Sequence, residues 1–483
     1  MIPKEEKAAS VPPDDETRKQ KMNIIDIYNR FKECGCVTTD TRTLKGGEMF
    51  FALKGENFDG NEYALKALEA GARYAVVNAS SEVAAKVSEG ALDGDIASRI
   101  IITEDTLVTL QELARWHRSM TFVDGKPLTV IALTGTNGKT TTKELIREVL
   151  SSRYVVTATE GNLNNSIGVP LSLLKINDST QIAVIEMGAS HPGDIKELVN
   201  IALPNYGLIT NVGKAHLLGF GSFEGVMKTK GELYDYLRRT ADKAFVNVDN
   251  PYLTRMASER ELHNDSERPD ASLVIPYGLE YSKATVLPSS PEHPFLRIAM
   301  QDEDGAELII KTNLVGSYNA DNVMAAIAVG RQFGVSLKDA VHAIEVYIPS
   351  NKRSQMTKTD RNTLIVDAYN ANPTSMEAAL ENFAAVQAER KTAMLGDMLE
   401  LGEESLKEHV RIAGMALKAD MDMVCFVGEE FGKAVREIQS DKAICFNTSD
   451  ELSDWLDRNP VSGSVILIKG SRGKRMENVI EKL

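Results

Sequence analysis

Three runs in the middle of this chain, QIAVIEM (181–187), YGLITNV (206–212) and KAFVNV (243–248), are short, unbroken and apolar. A strand with one face in water alternates polar and apolar residues. A strand covered on both faces has no reason to alternate. Helical patterns separate the runs, so the chain reads as βα repetition and must build a parallel sheet with helices on both sides. The strand LTVIAL (128–133) opens this unit. The same grammar returns in TLIVDAY (363–369), TAMLGD (392–397), DMVCFVG (422–428), KAICF (442–446) and SVILIKG (464–470), which read as a smaller doubly wound domain. Ahead of both, EMFFAL (48–53), RYAVVNA (73–79) and RIIIT (99–103) read as strands. NEYALKALEAGA (61–72) between them reads as a helix ending at Gly71.

The expected organisation is α/β in three domains: 22–120, 121–348 and 349–483, after a disordered polar extension over 1–21. A length of 483 residues agrees, at roughly 150 residues per domain. The segment 254–315 is charged and strand-poor outside SLVIPYG (272–278) and LIIKTNL (308–314). In NADNVMAAIAVGRQFG (319–334) a helix is stopped by Gly334.

Charge narrows the partners. With 55 basic and 69 acidic residues the net charge is −14, so the chain is no wrapper of nucleic acid. An anionic ligand must instead be held by local devices such as helix N-termini. The N-terminus MIPKEEKAASVPPDDETRKQK has no apolar segment and is not a secretory signal. No stretch approaches the ~20 apolar residues of a membrane helix. The expectation is a soluble cytoplasmic protein without membrane insertion. Cys34, Cys36, Cys425 and Cys445 are too few for a disulfide framework. Cys34-Gly-Cys36 has no second Cys/His cluster near it, so thiols in a reducing compartment are preferred to a metal site.

One such local device stands at ALTGTNGKTTTKEL (132–145). A strand runs into a glycine-rich turn and a helix follows, the order in which main-chain N–H groups and the helix dipole converge on phosphate. Gly135, Thr136, Asn137, Gly138, Lys139, Thr140 and Thr141 are therefore nucleotide-binding candidates. Lys139 is placed for the β- and γ-phosphates and Thr140 for Mg²⁺. The usual loop, G-x-x-x-x-G-K-[ST], would put glycine where Leu133 stands. The plain alternative, glycines serving turn geometry alone, is weakened by the strand before and the helix after.

Other polar residues fall at strand ends. Glu186 closes QIAVIEM and is a metal-ligand candidate, since a carboxylate after four apolar residues is costly if buried unpaired. His216 lies just past the next strand. In EGVMKTKGELYDYL (224–237), Lys228 and Lys230 both read as solvated from their surroundings in sequence. TEGNLNNSIGVPLSLL (159–174) carries Asn164 and Asn165, which suit either a capped loop or a grip on sugar or peptide. GSYNADN (316–322) sets Asn319 and Asn322 at i, i+3, with N-capping by Asn319 the alternative. SNKRSQM (350–356) offers Lys352 and Arg353, and VDAYNANPTS (366–375) offers Asp367, Asn370 and Asn372 at a sheet edge.

Together these residues resemble the Mur ligase family, ATP-dependent enzymes that form amide bonds in cell-wall precursor synthesis. GTNGKT is that family's phosphate motif, so Leu133 is the expected residue there. The similarity runs from about Thr39 to the end. DTRTLKGGEMFFALKGENFDGNEY, VDAYNANPTSMEAAL, MLGDMLELGEES and KGSRGKRME are most similar to members that join D-Ala-D-Ala to UDP-MurNAc-tripeptide. A sibling that adds one amino acid, folylpolyglutamate synthase, and an ATPase switch are the rivals.

The resemblance implies an N-terminal UDP-sugar domain, a central P-loop-type mononucleotide domain and a C-terminal Rossmann-like domain. It implies the use of ATP and two Mg²⁺; a monomer is expected. Lys139, Lys230 and His216 would be the catalytic set. Thr140 and Glu186 would hold one metal, and His216 and Lys230 the other. Lys230, favoured over Lys228, would be carbamylated, which turns an amine into an oxygen donor. Asn319 would meet adenine and Arg353 the γ-phosphate, with Asp367 in the nucleotide set. Asp40, Thr41, Arg42, Lys54 and Gly55 would bind the UDP-sugar, and Asn164, Asn165, Asn370 and Asn372 the substrates. Thr41 stands where the family often has serine, and keeps the hydroxyl.

Overall fold

A computed structural model describes residues 23–263, 272–349, 353 and 355–483. The expected extension over 1–21, and Lys352, lie outside the described residues. The chain divides into two compact units, Met1–Leu113 and Ala114–Leu483.

The first unit is built on a four-stranded parallel sheet in the order Val37–Thr38, Met49–Phe51, Tyr74–Asn78, Ile100–Thr103. Its helix Ile24–Cys34 starts where the Asn23 side chain accepts from Asp26 N at 3.0 Å, and stops at Gly35 with φ 71°. The expected helix after residue 60 is a 3₁₀ turn, Gly60–Tyr63, leading into Ala64–Glu69. Phe50, Ala52, Ala75 and Val77 bury against Ala64, Ala67 and Leu68.

The second unit holds two six-stranded sheets. The first is entirely parallel, in the order Val156–Ala158, Ile182–Glu186, Thr129–Thr134, Tyr206–Ile209, Lys243–Asn247, Val274–Tyr277. Every residue of Ile182–Glu186 is buried, which is why that run does not alternate. The second sheet runs Gln355–Lys358, Thr363–Asp367, Val465–Lys469, Lys391–Gly396, Met423–Val427, Ala443–Phe446. Ile365, Leu395, Phe426 and Leu467 pack on one of its faces, and Val366, Met394, Val427 and Ile468 on the other. Adjacent residues of one strand thus enter opposite cores, and both must be apolar.

Several features depart from the sequence reading. The short parallel strands Val37–Thr38 and Val156–Ala158 went unread, since neither holds a fully buried residue. The stretch 254–315 contains a three-stranded antiparallel sheet, Thr285–Leu287, Arg297–Gln301 and Glu307–Lys311. Its strand Glu307–Lys311 falls on LIIKTNL, which the sequence marks; Thr285–Leu287 and Arg297–Gln301 are not marked, and the sheet buries one face only, through Ile298, Met300 and Ile310. Gln355–Lys358 is an antiparallel edge strand on the last sheet, with no buried residue to announce it. Among the described residues no helix is long and apolar enough to cross a membrane.

Candidate functional site

The central strand Thr129–Thr134 leads through 135–138 into the helix Lys139–Ser151. Gly138 is the N-cap at φ 79°, and Thr142 N makes the first helical bond, to Gly138 O at 2.8 Å. The N–H groups of Lys139, Thr140 and Thr141 therefore have no acceptor within the helix. Two amides of the loop ahead of Gly138 are used differently from the sequence expectation. Thr136 N donates to Asn211 O at 3.0 Å and Asn137 N to Asn211 Oδ1 at 2.9 Å, which ties the loop to the neighbouring strand end. The donors aimed outward are those of the first helical turn. Asn211 was missed in sequence, although its place just past a buried strand is the signal that would have found it.

Gly135 sits at φ 150°, and a Cβ there would lie 1.9 Å from Thr210 Oγ1 and 3.1 Å from Thr210 N. Gly135→Ala is expected to displace the loop and so to remove the melting shift expected on adding ADP. An unchanged ADP-dependent melting shift would show that the loop tolerates the methyl.

Glu186 is 1% exposed and fully engaged. Thr140 Oγ1 donates to its Oε2 at 2.9 Å, and Asn164 Nδ2 to its Oε1 at 2.8 Å. Asn164, expected at a substrate, thus positions the carboxylate. Asn165 accepts from Ile167 N and Gly168 N at 3.2 and 2.8 Å, which is the capped-loop alternative. Lys139 Nζ folds back on Gly135 O at 2.8 Å and Thr136 O at 3.1 Å. Desolvation pushes its ammonium below the ordinary lysine value; Glu186 opposes this and Arg353 reinforces it.

Lys228 is exposed and Lys230 is 2% exposed, so the solvated reading of Lys230 is corrected. The helix Phe223–Thr240 turns Lys230 inward with Val226, Met227, Leu233 and Leu237, on its apolar face. The Lys230 ammonium lies 5.8 Å from the centre of the Phe220 ring. Burial drives its pKa well below the lysine value, Lys139 adds repulsion, and Asp194 compensates only in part. His216 takes a left-handed backbone conformation, φ 50°, and sets its Nδ1 against the Glu400 carboxylate. Burial pushes the imidazole below its usual value; Glu400 pulls upward, and Lys139 and Lys230 push it down again.

A cavity of about 860 Å³ unites most of the remaining candidates. Thr136, Asn137, Gly138, Lys139 and Thr141 line one side, with Glu186 and His216. Asn319, Arg353 and Asp367 also line it, as do Asn164, Asn165, Asn370 and Asn372. The Asn319 side chain does not cap its helix. It donates to Val315 O at 2.8 Å and accepts from Asn322 Nδ2 at 2.9 Å. Asp367 is paired with the buried Lys469. Asn372 caps the helix Pro373–Ala384 and also donates from Nδ2 to Asn137 Oδ1 at 2.8 Å. Arg353 lies 3.7 Å from the centre of the Tyr369 ring. Tyr369 and Lys469 were missed, though both sit in stretches already singled out.

A second set of contacts joins the two large sheets' elements. Lys214 Nζ donates to Glu408 Oε1 at 2.6 Å, and Lys214 N to Thr374 Oγ1 at 3.1 Å. The Glu408 side chain is 1% exposed and also takes Arg411 Nε at 2.8 Å. Burial pushes its carboxyl up, but the two cationic partners outweigh that and hold it below the ordinary value. Such a group stabilises the fold above the usual glutamate pKa, and the contribution fades as pH falls through the lowered one. Lys214→Met should cost about 1–3 kcal/mol near neutrality. The gap to wild type in urea melts should shrink toward pH ~3. An equal gap at both pH values would mean that the lysine acts by packing.

Asp40, Thr41, Arg42, Lys54 and Gly55 all lie in the first unit, within Met1–Leu113. Asp40 caps the 3₁₀ turn Thr41–Thr43, and Arg42 Nε and Nη2 donate back to its two oxygens at 2.9 and 2.7 Å. Those bonds hold the Asp40 carboxyl down at about 2. Lys54 and Gly55 form a hairpin with Phe58 and Asp59, and Lys54 pairs with Asp59 at 3.2 Å. Both Asp40 and Lys54 are thus satisfied locally. Cys34 and Cys36 are both free thiols, and among the described residues no group of three or more His, Cys, Asp or Glu is gathered as a metal site.

A helix N-terminus aimed into a cavity, with a lysine and a buried hydroxyl–carboxylate pair beside it, defines a nucleotide-binding α/β enzyme. Three family models match in succession. They are the Mur ligase family catalytic domain over 33–118, the Mur ligase middle domain over 133–330, and the Mur ligase glutamate ligase domain over 352–472. The chain belongs to the Mur ligase family. It is 32% identical over 470 residues to the UDP-N-acetylmuramoyl-tripeptide–D-alanyl-D-alanine ligase of Bacillus subtilis (strain 168), covering 92% of both chains. MurF from Acinetobacter baumannii superposes with a TM-score of 0.77 at 29% identity, covering 92% of both chains. MurF ligase from Thermotoga maritima, solved in complex with ADP, gives 0.74 at 27% identity, over 92% of this chain and 96% of that one.

Proposed function

We propose that this chain is an ATP-dependent, ADP-forming ligase that joins D-Ala-D-Ala to UDP-MurNAc-tripeptide in cytoplasmic peptidoglycan precursor synthesis. The observation that carries this reading is Glu186, buried at a strand end and held by Thr140 and Asn164 at the first turn of the phosphate helix. Near-complete coverage of relatives bearing that activity in their names supports the substrates. Residues 22–120 would hold the UDP-sugar through Asp40, Thr41, Arg42, Lys54 and Gly55. Residues 121–348 would hold ATP, and 349–483 would help receive the dipeptide, with a single copy of the chain sufficient.

The donor set suits magnesium. Mg²⁺ takes hard oxygen ligands, usually one or two carboxylates, and completes its shell with water and phosphate. Thr140 Oγ1 and the Glu186 carboxylate are two such oxygens 2.9 Å apart. For a second ion, His216 is favoured in its neutral, ligating form by burial. Lys230 would contribute as a carbamate: its neutral amine, favoured by burial beside Lys139, attacks CO₂ and loses one proton. Held there, the ions would supply charge neutralisation between phosphate and carboxylate.

The reaction runs in two steps. A carboxylate oxygen of the tripeptide attacks the γ-phosphorus of ATP, and the bond to the bridging oxygen breaks, releasing ADP. The dipeptide nitrogen then attacks the acyl carbon, phosphate leaves with the bonding pair, and the nitrogen loses a proton. Lys139 and the first-turn amides hold the phosphates, Arg353 meets the γ-phosphate and Asn319 the adenine. Incubation with ATP, Mg²⁺, D-Ala-D-Ala and UDP-tripeptides ending in diaminopimelate or lysine, read by mass, tests the reading. Phosphate release indifferent to the dipeptide, with no amide product, would point to an ATPase instead.

A further inference from the structure

Beside the nucleotide cavity lies another, of about 620 Å³. The two meet along Asn162, Arg353 and Tyr369, which line both. Thr140 and Arg472 line the second alone. Arg472 comes from the KGSRGKRME stretch, on the 3₁₀ turn Arg472–Lys474 that follows the strand Val465–Lys469. Its guanidinium carbon is 5.3 Å from the centre of the Tyr369 ring, the same ring that carries Arg353 at 3.7 Å.

The cations of this cavity are not equivalent. Arg147 is committed to Glu144 and Glu148. Arg353 lies at the junction, where the proposed reaction needs it for phosphate. Arg472 ion-pairs with no carboxylate among the described residues and does not reach the nucleotide cavity. A guanidinium set against an aromatic face, with its fork unused, is organised for a planar anion.

We infer that the second cavity receives the amine-bearing substrate, and that Arg472, beside the Tyr369 ring, binds its free carboxylate. The inference rests on the proposed function and adds a specificity-determining residue to it. A dipeptide must react as the neutral amine, so its C-terminal carboxylate is then its only charge. On the proposed function the acyl carbon forms in the nucleotide cavity beside Lys139; Thr140, next along the helix, lines the second cavity, which meets the first along Asn162, Arg353 and Tyr369. A volume of about 620 Å³ lies within the ordinary range for small-ligand pockets. An arginine that takes this carboxylate selects for an acid there and against a blocked or neutral end.

The test compares D-Ala-D-Ala with its C-terminal amide in wild type, Arg472→Gln and Arg472→Lys. Arg472 is exposed, so these variants should fold, which melting curves check. Wild type should prefer the acid by ~10–100-fold in kcat/KM. Arg472→Gln should erase that preference through KM for the dipeptide, leaving KM for ATP unchanged. Arg472→Lys should keep part of it, having the charge without the fork. A glutamine variant that retains the wild-type preference, or whose KM rises for ATP, overturns the assignment while the ligase reading stands. A wild-type enzyme that makes no product from the dipeptide overturns both.

Discussion

Lys139→Ala will remove ATP-dependent, D-Ala-D-Ala-dependent phosphate release, by at least ~10²–10³-fold in kcat. Two like-charged groups, a carboxylate and a triphosphate, must approach within bonding distance, and the barrier is largely their repulsion. Lys139 is the side-chain cation at the start of the phosphate helix, fixed by Gly135 O and Thr136 O at 2.8 and 3.1 Å. Those two bonds hold it in place at no cost in reorganisation when the nucleotide arrives. Alanine deletes the charge and leaves Thr140, Glu186 and Asn164 as they are, so melting should shift little. The measurement is coupled phosphate release with saturating dipeptide; near-normal turnover would end the assigned role.

The second large effect is expected at Lys230. Intact mass in bicarbonate should show the mass of one added CO₂, lost on acidification and absent from Lys230→Ala. That variant should lose turnover by about two orders of magnitude or more and recover part of it with added short carboxylates, which replace the missing oxygens. A fully active variant would exclude the role. A separate readout comes from linkage. The folded-state pKa of the unmodified amine is lowered, so between that value and about 10.4 the unfolded chain binds the extra proton. Stability without CO₂ should therefore rise with pH across that window, and Lys230→Met should flatten the slope. A slope unaltered by the substitution would place its origin elsewhere.

Particular residues show where sequence reasoning reached and where it stopped. The order strand, Gly135-to-Gly138 turn, helix is a local pattern, so Lys139 and Thr140 could be placed directly. Glu186 could be suspected because a carboxylate ending an apolar run demands partners, and it has them in Thr140 and Asn164. Lys230 could not be distinguished from Lys228 by burial, since two residues along a helix decide which one faces the core. The strand Arg297–Gln301 was illegible because one buried face needs only Ile298 and Met300. Asn164, Asn165 and Asn372 were read toward ligands, whereas each also has a partner in the chain.

What the sequence determined alone was most of the buried parallel strands, some residues at their carboxyl ends such as Glu186 and Asp367, and the phosphate turn, because each follows from a period or a spacing of a few residues. Only the tertiary structure decided that Lys214 meets Glu408, that Asn137 meets Asn372, and that Arg353 and Arg472 share the Tyr369 ring. Those partners are separated by about a hundred residues or more or stand on different elements, and no local pattern encodes which distant side chain will neutralise a given charge.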